Sequence, residues 1–218
     1  MTDPWWTGPR LEPARRASRA MVCTVDHLAS GAAIRVLADG GSAADGAVAA
    51  SAVLAVTTQH MCGMGGDLWA LVHHQPGAPA ALNASGRAGS GSNAAELRAE
   101  GHTSMPFRGD IRSVPVPGCV DGWLALHHRF GRLPLDQVLA PAIDIAESGF
   151  APSALLETAI DRVRDVTGAD DFLRHRDSGG PLTRPGLARS LRAITTSGRD
   201  GWYLGDFGRG LMAMGHEL

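Results

Sequence analysis

Apolar positions along the chain change their period several times, and each change marks an element. Residues 21–25 read as a first strand. Asp26 follows where a helix N-cap belongs, and Ala29, Ala32, Ala33, Val36 and Leu37 then fall at i, i+3, i+4, i+7 and i+8. That spacing lays one apolar stripe along a helix, which Gly40 and Gly41 end. Ser42 to Asp45 has the S-x-x-D form of a capping box, and nine of the ten residues 47–56 are apolar. A helix without a polar face has to be enclosed on several sides, so this second helix is expected at the centre of the core. Its small side chains allow neighbouring backbones to come close.

The glycine-rich run CGMGGD, Cys62 to Asp67, leads into apolar residues 68–73, and residues 80–83 follow a Pro76-Gly77 turn. Together they predict a hairpin of buried strands. Helical periodicity then takes over at 118–130, 135–148, 153–166, 185–196 and 206–215, with Pro or Gly at the edges. Residues 85–114 form a loop-like stretch long enough to be functional. Residues 1–20, rich in Pro, Trp and Arg, read as an irregular N-terminal arm, and 21–218 as a single domain without internal repeats. So few strands cannot complete a sheet sandwich, so partner strands are expected from sequence outside this chain. The last helix reaches His216-Glu217-Leu218 with no Gly or Asn cap, and the chain therefore reads as cut short.

With 44% hydrophobic and 19% charged residues and 28 glycines in 218, the composition is that of a soluble globular protein. All 20 basic residues are Arg, which excludes Schiff-base chemistry and phosphate-loop nucleotide binding, both of which need a lysine. A net charge of -2 without blocks of one sign gives neither nucleic acid nor a membrane surface an electrostatic footprint. The longest apolar run falls short of the roughly 18 residues of a membrane span. The opening MTDPWWTGPR lacks the basic and apolar regions of a signal peptide, so a cytoplasmic location is expected. Cys23, Cys62 and Cys119 are odd in number and widely spaced, which predicts reduced and mostly buried thiols.

Candidate chemistry is sparse. The GMGGD run precedes a strand and lacks the G-x-G-x-x-G spacing, so it reads as a close backbone passage in preference to a phosphate cradle. His60, His73, His74, His102, His127 and His128 show no metal-ligand spacing, and no metal site is expected. Thr57-Thr58 and Thr195-Thr196 have no base at helical or turn spacing, so capping or core-edge roles are expected for them. Arg87 stands apart. It lies in NASGRAGSGS, residues 83–92, a small-residue loop directly after a strand, where a guanidinium can hold a carboxylate through a two-pronged hydrogen bond or simply be solvated.

Three separated stretches carry a family resemblance. Residues 26–72 contain Gly40-Gly41-Ser42-Ala43-Ala44-Asp45-Gly46 and the glycine-rich strand entry, and this region resembles the N-terminal part of γ-glutamyltranspeptidases with their GG-x-A-x-D-A motif. Residues 113–150 are similar to the family's G-x-P-G-x-V-x-G and L-x-P-A-I-x-x-A-x-x-G-F stretches, and GWYLGDFGRGL, residues 201–211, to its F-Y-x-G segment. The resemblance implies an α+β fold: a helix-rich, partial αββα sandwich of the N-terminal nucleophile hydrolase type whose sheets are incomplete in this chain. It also implies a large-subunit portion whose partner, a downstream small subunit, carries the nucleophile threonine after self-cleavage, and a small-molecule acyl-amide substrate with no cofactor. Typical members carry F-R-E-x-A-P after this strand, with the Arg gripping the substrate's α-carboxylate. Aligned on Ala88 without a gap, that position is Ser85 here, with Arg87 two residues on, so Ser85 and Arg87 are the expected substrate-binding residues. Cleavage of γ-glutamyl or related amides is the leading expectation. The alternatives are a relative of different acyl specificity, cephalosporin-acylase-like or oxamate-hydrolase-like, and a non-catalytic structural fragment.

Overall fold

The computed structural model describes residues 15–74, 76–106 and 109–216. Most of the arm expected at 1–20 therefore lies outside the described residues, as do the last two of the chain; residues 15–20 are irregular and exposed.

Helix α1, His27–Ala38, starts where Asp26 accepts hydrogen bonds from the Leu28 and Ala29 amides at 2.7 and 3.4 Å. It ends in a left-handed turn at Gly40, with φ of 96°, and the Gly41 N–H reaches back to the Val36 carbonyl at 2.9 Å. Helix α2, Ala43–Thr57, opens at once with the expected capping box: the Asp45 amide donates to Ser42 Oγ and the Ser42 amide to Asp45 Oδ2. Ala49, Ala52, Val53 and Val56 of α2 have no exposed surface. They pack against α1, against α4, Cys119–Phe130, and against α5, Leu135–Ser148, which in turn packs on α8, Pro185–Tyr203. Burying such a run removes its apolar surface from water at about 25 cal/mol per Å², which is why this helix anchors the core.

Asp45 adds a polar tie inside that core. It is completely buried, and its Oδ2 also accepts the Arg132 and Leu133 amides at 2.8 and 3.3 Å, joining the α1–α2 turn to the α4–α5 turn. Burial alone would raise its pKa, but the backbone N–H groups of Ser42, Arg132 and Leu133, together with the Ser42 side chain, hold it below the usual carboxylate value.

Strands β1, Leu68–Val72, and β2, Ala80–Ala84, pair antiparallel with Leu68 opposite Ala84 and Val72 opposite Ala80. They were expected to be buried, and only one face is partly covered. Leu68 and Ala84 sit against Gly122 of α4, where a Cβ would come within 3.0 Å of Leu68 and 2.9 Å of Ala84. Trp69 and Leu71 on the other face are 65% and 81% exposed. Residues 21–25 form no strand: among the described residues β1 and β2 pair only with each other, and Met21 and Val25 are exposed.

The helical half holds three departures. The predicted helix at 153–166 divides into α6, Ala154–Ile160, and a 3-10 turn, Asp161–Val163. Helix α7, Asp170–Ser178, is polar along most of its length and buries only His175, so it offers no apolar stripe to read. Helix α8 runs past Thr196 to Tyr203, with a non-helical break at Gly198, before α9, Asp206–His216. Inside the long loop, α3, Ala94–Ala99, forms under an Asn93 cap. Of the three thiols only Cys119 is buried, where burial first and the nearby Cys62 and Asp67 next push its pKa up to about 12; Cys23 and Cys62 are exposed. Among the described residues no helix is long and apolar enough to cross a membrane.

Candidate functional site

At the end of β2 the chain turns sharply, and a cavity of about 620 Å³ opens beside the turn. Asn83 shapes it: the Ser85 amide and hydroxyl both donate to Asn83 Oδ1, at 3.0 and 2.8 Å. Gly86 follows with φ of 84°, and a Cβ there would stand 1.9 Å from the Val116 carbonyl oxygen. One step further the Val116 amide donates to the Arg87 carbonyl at 2.8 Å, an isolated antiparallel bridge. Gly118 completes the crossing, since a Cβ at that position would lie 2.1 Å from the Ala84 carbonyl oxygen. Only glycine allows two backbones to cross this closely, so the cavity floor is main chain.

The glycine-rich run meets the same crossing. Gly66 presents its carbonyl to the amides of Gly118 and Cys119 at 3.1 and 3.0 Å, fixing the start of α4. This is a close backbone passage with a structural task.

Ser85 and Arg87, the two residues singled out from sequence, both line the cavity. Their capacities differ. The Ser85 hydroxyl spends its one proton on Asn83, so position 85 brings no charge and no free donor. Arg87 is exposed, and its guanidinium makes no ion pair or hydrogen bond among the described residues.

Sequence reasoning missed three further lining residues, Asp121, Arg199 and Tyr203. Arg199 Nε donates to Asp121 Oδ1 at 3.0 Å, and its guanidinium carbon lies 4.6 Å from the centre of the Tyr203 ring. The Tyr203 hydroxyl donates to the Pro117 carbonyl at 2.5 Å, and burial, with the Asp121 charge behind it, raises its pKa. Asp121 comes from the first turn of α4, whereas Arg199 and Tyr203 arrive from a helix segment more than a hundred positions downstream of β2. The usable signal was Gly198, which breaks α8 and redirects the turn that carries Arg199 and Tyr203.

The site thus offers one unpaired cation, one cation neutralised by Asp121, and a main-chain floor. None of the four threonines singled out from the sequence lines it. Thr57 and Thr58 are buried against each other, and Thr195 and Thr196 donate their hydroxyls to the Arg192 carbonyl at 2.8 and 2.9 Å. No cluster of three His, Cys, Asp or Glu that could hold a metal occurs among the described residues. An anionic group could be gripped here.

The model of one protein family, described as Gamma-glutamyltranspeptidase, matches residues 29–217 of the chain. The chain belongs to the γ-glutamyltranspeptidase family. Among curated members it is 37% identical to the glutathione hydrolase-like YwrD proenzyme of Bacillus subtilis, over 90% of this chain and 39% of that protein. It is 34% identical to the oxamate amidohydrolase proenzyme of Klebsiella pneumoniae, over 93% of this chain and 41% of that one. The γ-glutamyltranspeptidase structure from Helicobacter pylori superposes with a TM-score of 0.78 at 25% identity, covering 91% of this chain and 60% of the solved one. The chain therefore spans about two-fifths of the length of these curated family members. The helix-rich α+β arrangement with its small sheet is accordingly the arrangement this family uses in the corresponding region.

Proposed function

We propose that this chain is the N-terminal part of the large subunit of a γ-glutamyltranspeptidase-like hydrolase or acyltransferase that cleaves γ-glutamyl or related amide bonds. In this reading residues 21–218 form one unit of an αββα sandwich of the N-terminal nucleophile type. The open face of the β1–β2 hairpin is completed by further strands. A downstream small subunit brings the threonine nucleophile, released by cleavage of a proenzyme as the relatives' names imply. That threonine attacks the acyl carbonyl, its own α-amine takes the hydroxyl proton and returns it to the leaving amine, and water or a second amine then releases the acyl group. The chemistry calls for no metal or cofactor.

The observation that carries the reading is the cavity after β2, where Arg87 stands exposed and unpaired beside Ser85 in the family's arginine position. A charge-assisted fork from Arg87 to a substrate carboxylate contributes about 1.5 to 3 kcal/mol. Arg87→Ala in the full-length enzyme should therefore lower kcat/KM about tenfold to a hundredfold for an acyl group carrying a carboxylate, and little for an uncharged analogue. Equal losses on both substrates would make Arg87 structural, and no loss on either would remove it from the site.

A second reading, an amidohydrolase of different acyl specificity, is favoured by Ser85 itself, which supplies no charge where typical members have arginine. Ser85→Arg distinguishes the two. A gain in γ-glutamyl turnover supports the altered-specificity reading, because one residue then accounts for the difference.

A further inference from the structure

Trp202, one residue before Tyr203, lines a second cavity of about 520 Å³, walled by α6, α7, α8 and residues that follow α2. Four buried side-chain polar atoms among the described residues have no hydrogen-bond partner, and three of them belong to residues of this one cavity: both ring nitrogens of His60 and Nε1 of Trp202. Trp202 is 2% exposed, and its ring stacks on Phe207 with centroids 3.7 Å apart. A buried donor or acceptor left without a partner costs on the order of 1 to 3 kcal/mol, so three such atoms on one cavity require an explanation.

The charged residues of the lining are Asp171 and Arg184, which pair with each other and leave part of the guanidinium's five N–H groups unspent. Arg174 points to solvent, whereas Arg184 is held inside by Asp171, by Gln59 and by the Phe172 ring 4.1 Å away. The remaining wall is apolar, with Leu156, Ile160 and Leu187 prominent. Unsatisfied polar atoms beside a guanidinium with N–H groups to spare, and an apolar wall, together describe the complement of an amphipathic acceptor such as a carboxylate.

We infer that this cavity is a second binding site, separate from the cavity after β2, for a small monocarboxylic acid with an aryl or alkyl body. The carboxylate accepts from Trp202 Nε1 and a His60 N–H near Arg184, and the body lies along Leu156, Ile160 and Leu187. The site does not depend on the activity proposed above.

Calorimetric titration of the full-length protein with 4-phenylbutyrate and with its neutral amide tests the inference. The carboxylate should bind at least about tenfold more tightly than the amide, as one charge-assisted hydrogen bond requires. Trp202→Phe keeps an aromatic ring and removes the N–H, so it should weaken the carboxylate about tenfold and the amide, whose carbonyl accepts a weaker neutral hydrogen bond, several-fold less. His60→Leu should act in the same direction. Ala159→Trp, on the partly exposed wall contributed by α6, should abolish binding of both ligands even if Trp202→Phe fails to fold. Arg87→Ala should change nothing here; a loss with that variant would assign the binding to the first cavity and overturn the proposal. Equal affinity for acid and amide, indifference to Ala159→Trp, or no saturable binding would also overturn it.

Discussion

Val53 in α2 has no exposed surface and Leu71 in β1 is 81% exposed, although both stand in apolar runs. The difference lies in what surrounds each run. Helix α2 meets α1, α4 and α5, all formed by this chain, so most of it is covered, with Ala47 exposed and Leu54 half-buried. The hairpin meets α4 on one face, and no described residue covers Trp69 and Leu71 on the other. An apolar sequence therefore says that a surface is meant to be buried, but not that the same stretch of chain supplies the cover. The centre of the helical part is covered by this chain, whereas one face of the hairpin is left open among the described residues.

The comparison breaks most decisively in the helix. Ala49 is fully buried with no polar partner in reach, so Ala49→Asp should cost several kcal/mol, about 4 or more, and leave little folded protein. A soluble variant with an unchanged urea midpoint would mean that α2 is open to water.

Asp45 sharpens the same side of the comparison. Asp45→Ala leaves the Ser42, Arg132 and Leu133 amides without their acceptor and should cost about 2 to 4 kcal/mol. Because the folded pKa is held below the unfolded value of 3.8, the ionised Asp45 stabilises the fold fully above about pH 4, and that contribution fades as pH falls through the folded pKa. Urea midpoints of wild type and Asp45→Asn, followed from pH 6 to pH 2.5, should converge on the acid side. A gap that stays constant across that range would show that Asp45 carries no pH-dependent stability.

The smallest effect belongs to the hairpin's open face. Trp69→Ser with Leu71→Thr should shift the stability of residues 1–218 by no more than about 0.5 kcal/mol, since neither side chain is covered. In the full-length protein the same pair should cost more than 2 kcal/mol if further strands close over that face. Equal small effects in both would leave the hairpin open in the mature protein.

How much of this was legible depends on whether the deciding contacts are local. Asp26, the Ser42–Asp45 box and Gly40 are neighbours of the backbone they fix, and α1 and α2 start and stop where those residues say. The hairpin pairing and helices α4 and α5 follow from period and punctuation in the same way. Residues 21–25 have a strand's composition, but a strand exists only with a partner, which their sequence cannot supply. Helix α7 went unread because its burial is confined to His175, held by Glu157 and the Gly180 carbonyl in place of an apolar stripe. In the candidate site Arg87 was legible from its loop, while Arg199 and Tyr203 were not, because only the folded path of α8 brings them to the turn after β2. Cys23 and Cys62 misled for a related reason: thiols are often buried, yet these two sit on segments that nothing described covers.

The glycine crossing beneath the first cavity has a consequence for anyone who would redesign its specificity. Since Gly86 and Gly118 each stand about 2 Å, by a virtual Cβ, from a carbonyl of the opposing strand of chain, neither can accept a side chain without parting the two backbones. The floor is therefore fixed hardware, and the adjustable positions are the rim residues 85, 87 and 199, which no backbone contact constrains in the same way. A combinatorial library confined to those three positions varies the rim of the cavity and leaves its main-chain floor in place. One that also varies the two glycines would chiefly collect molecules in which the cavity no longer exists.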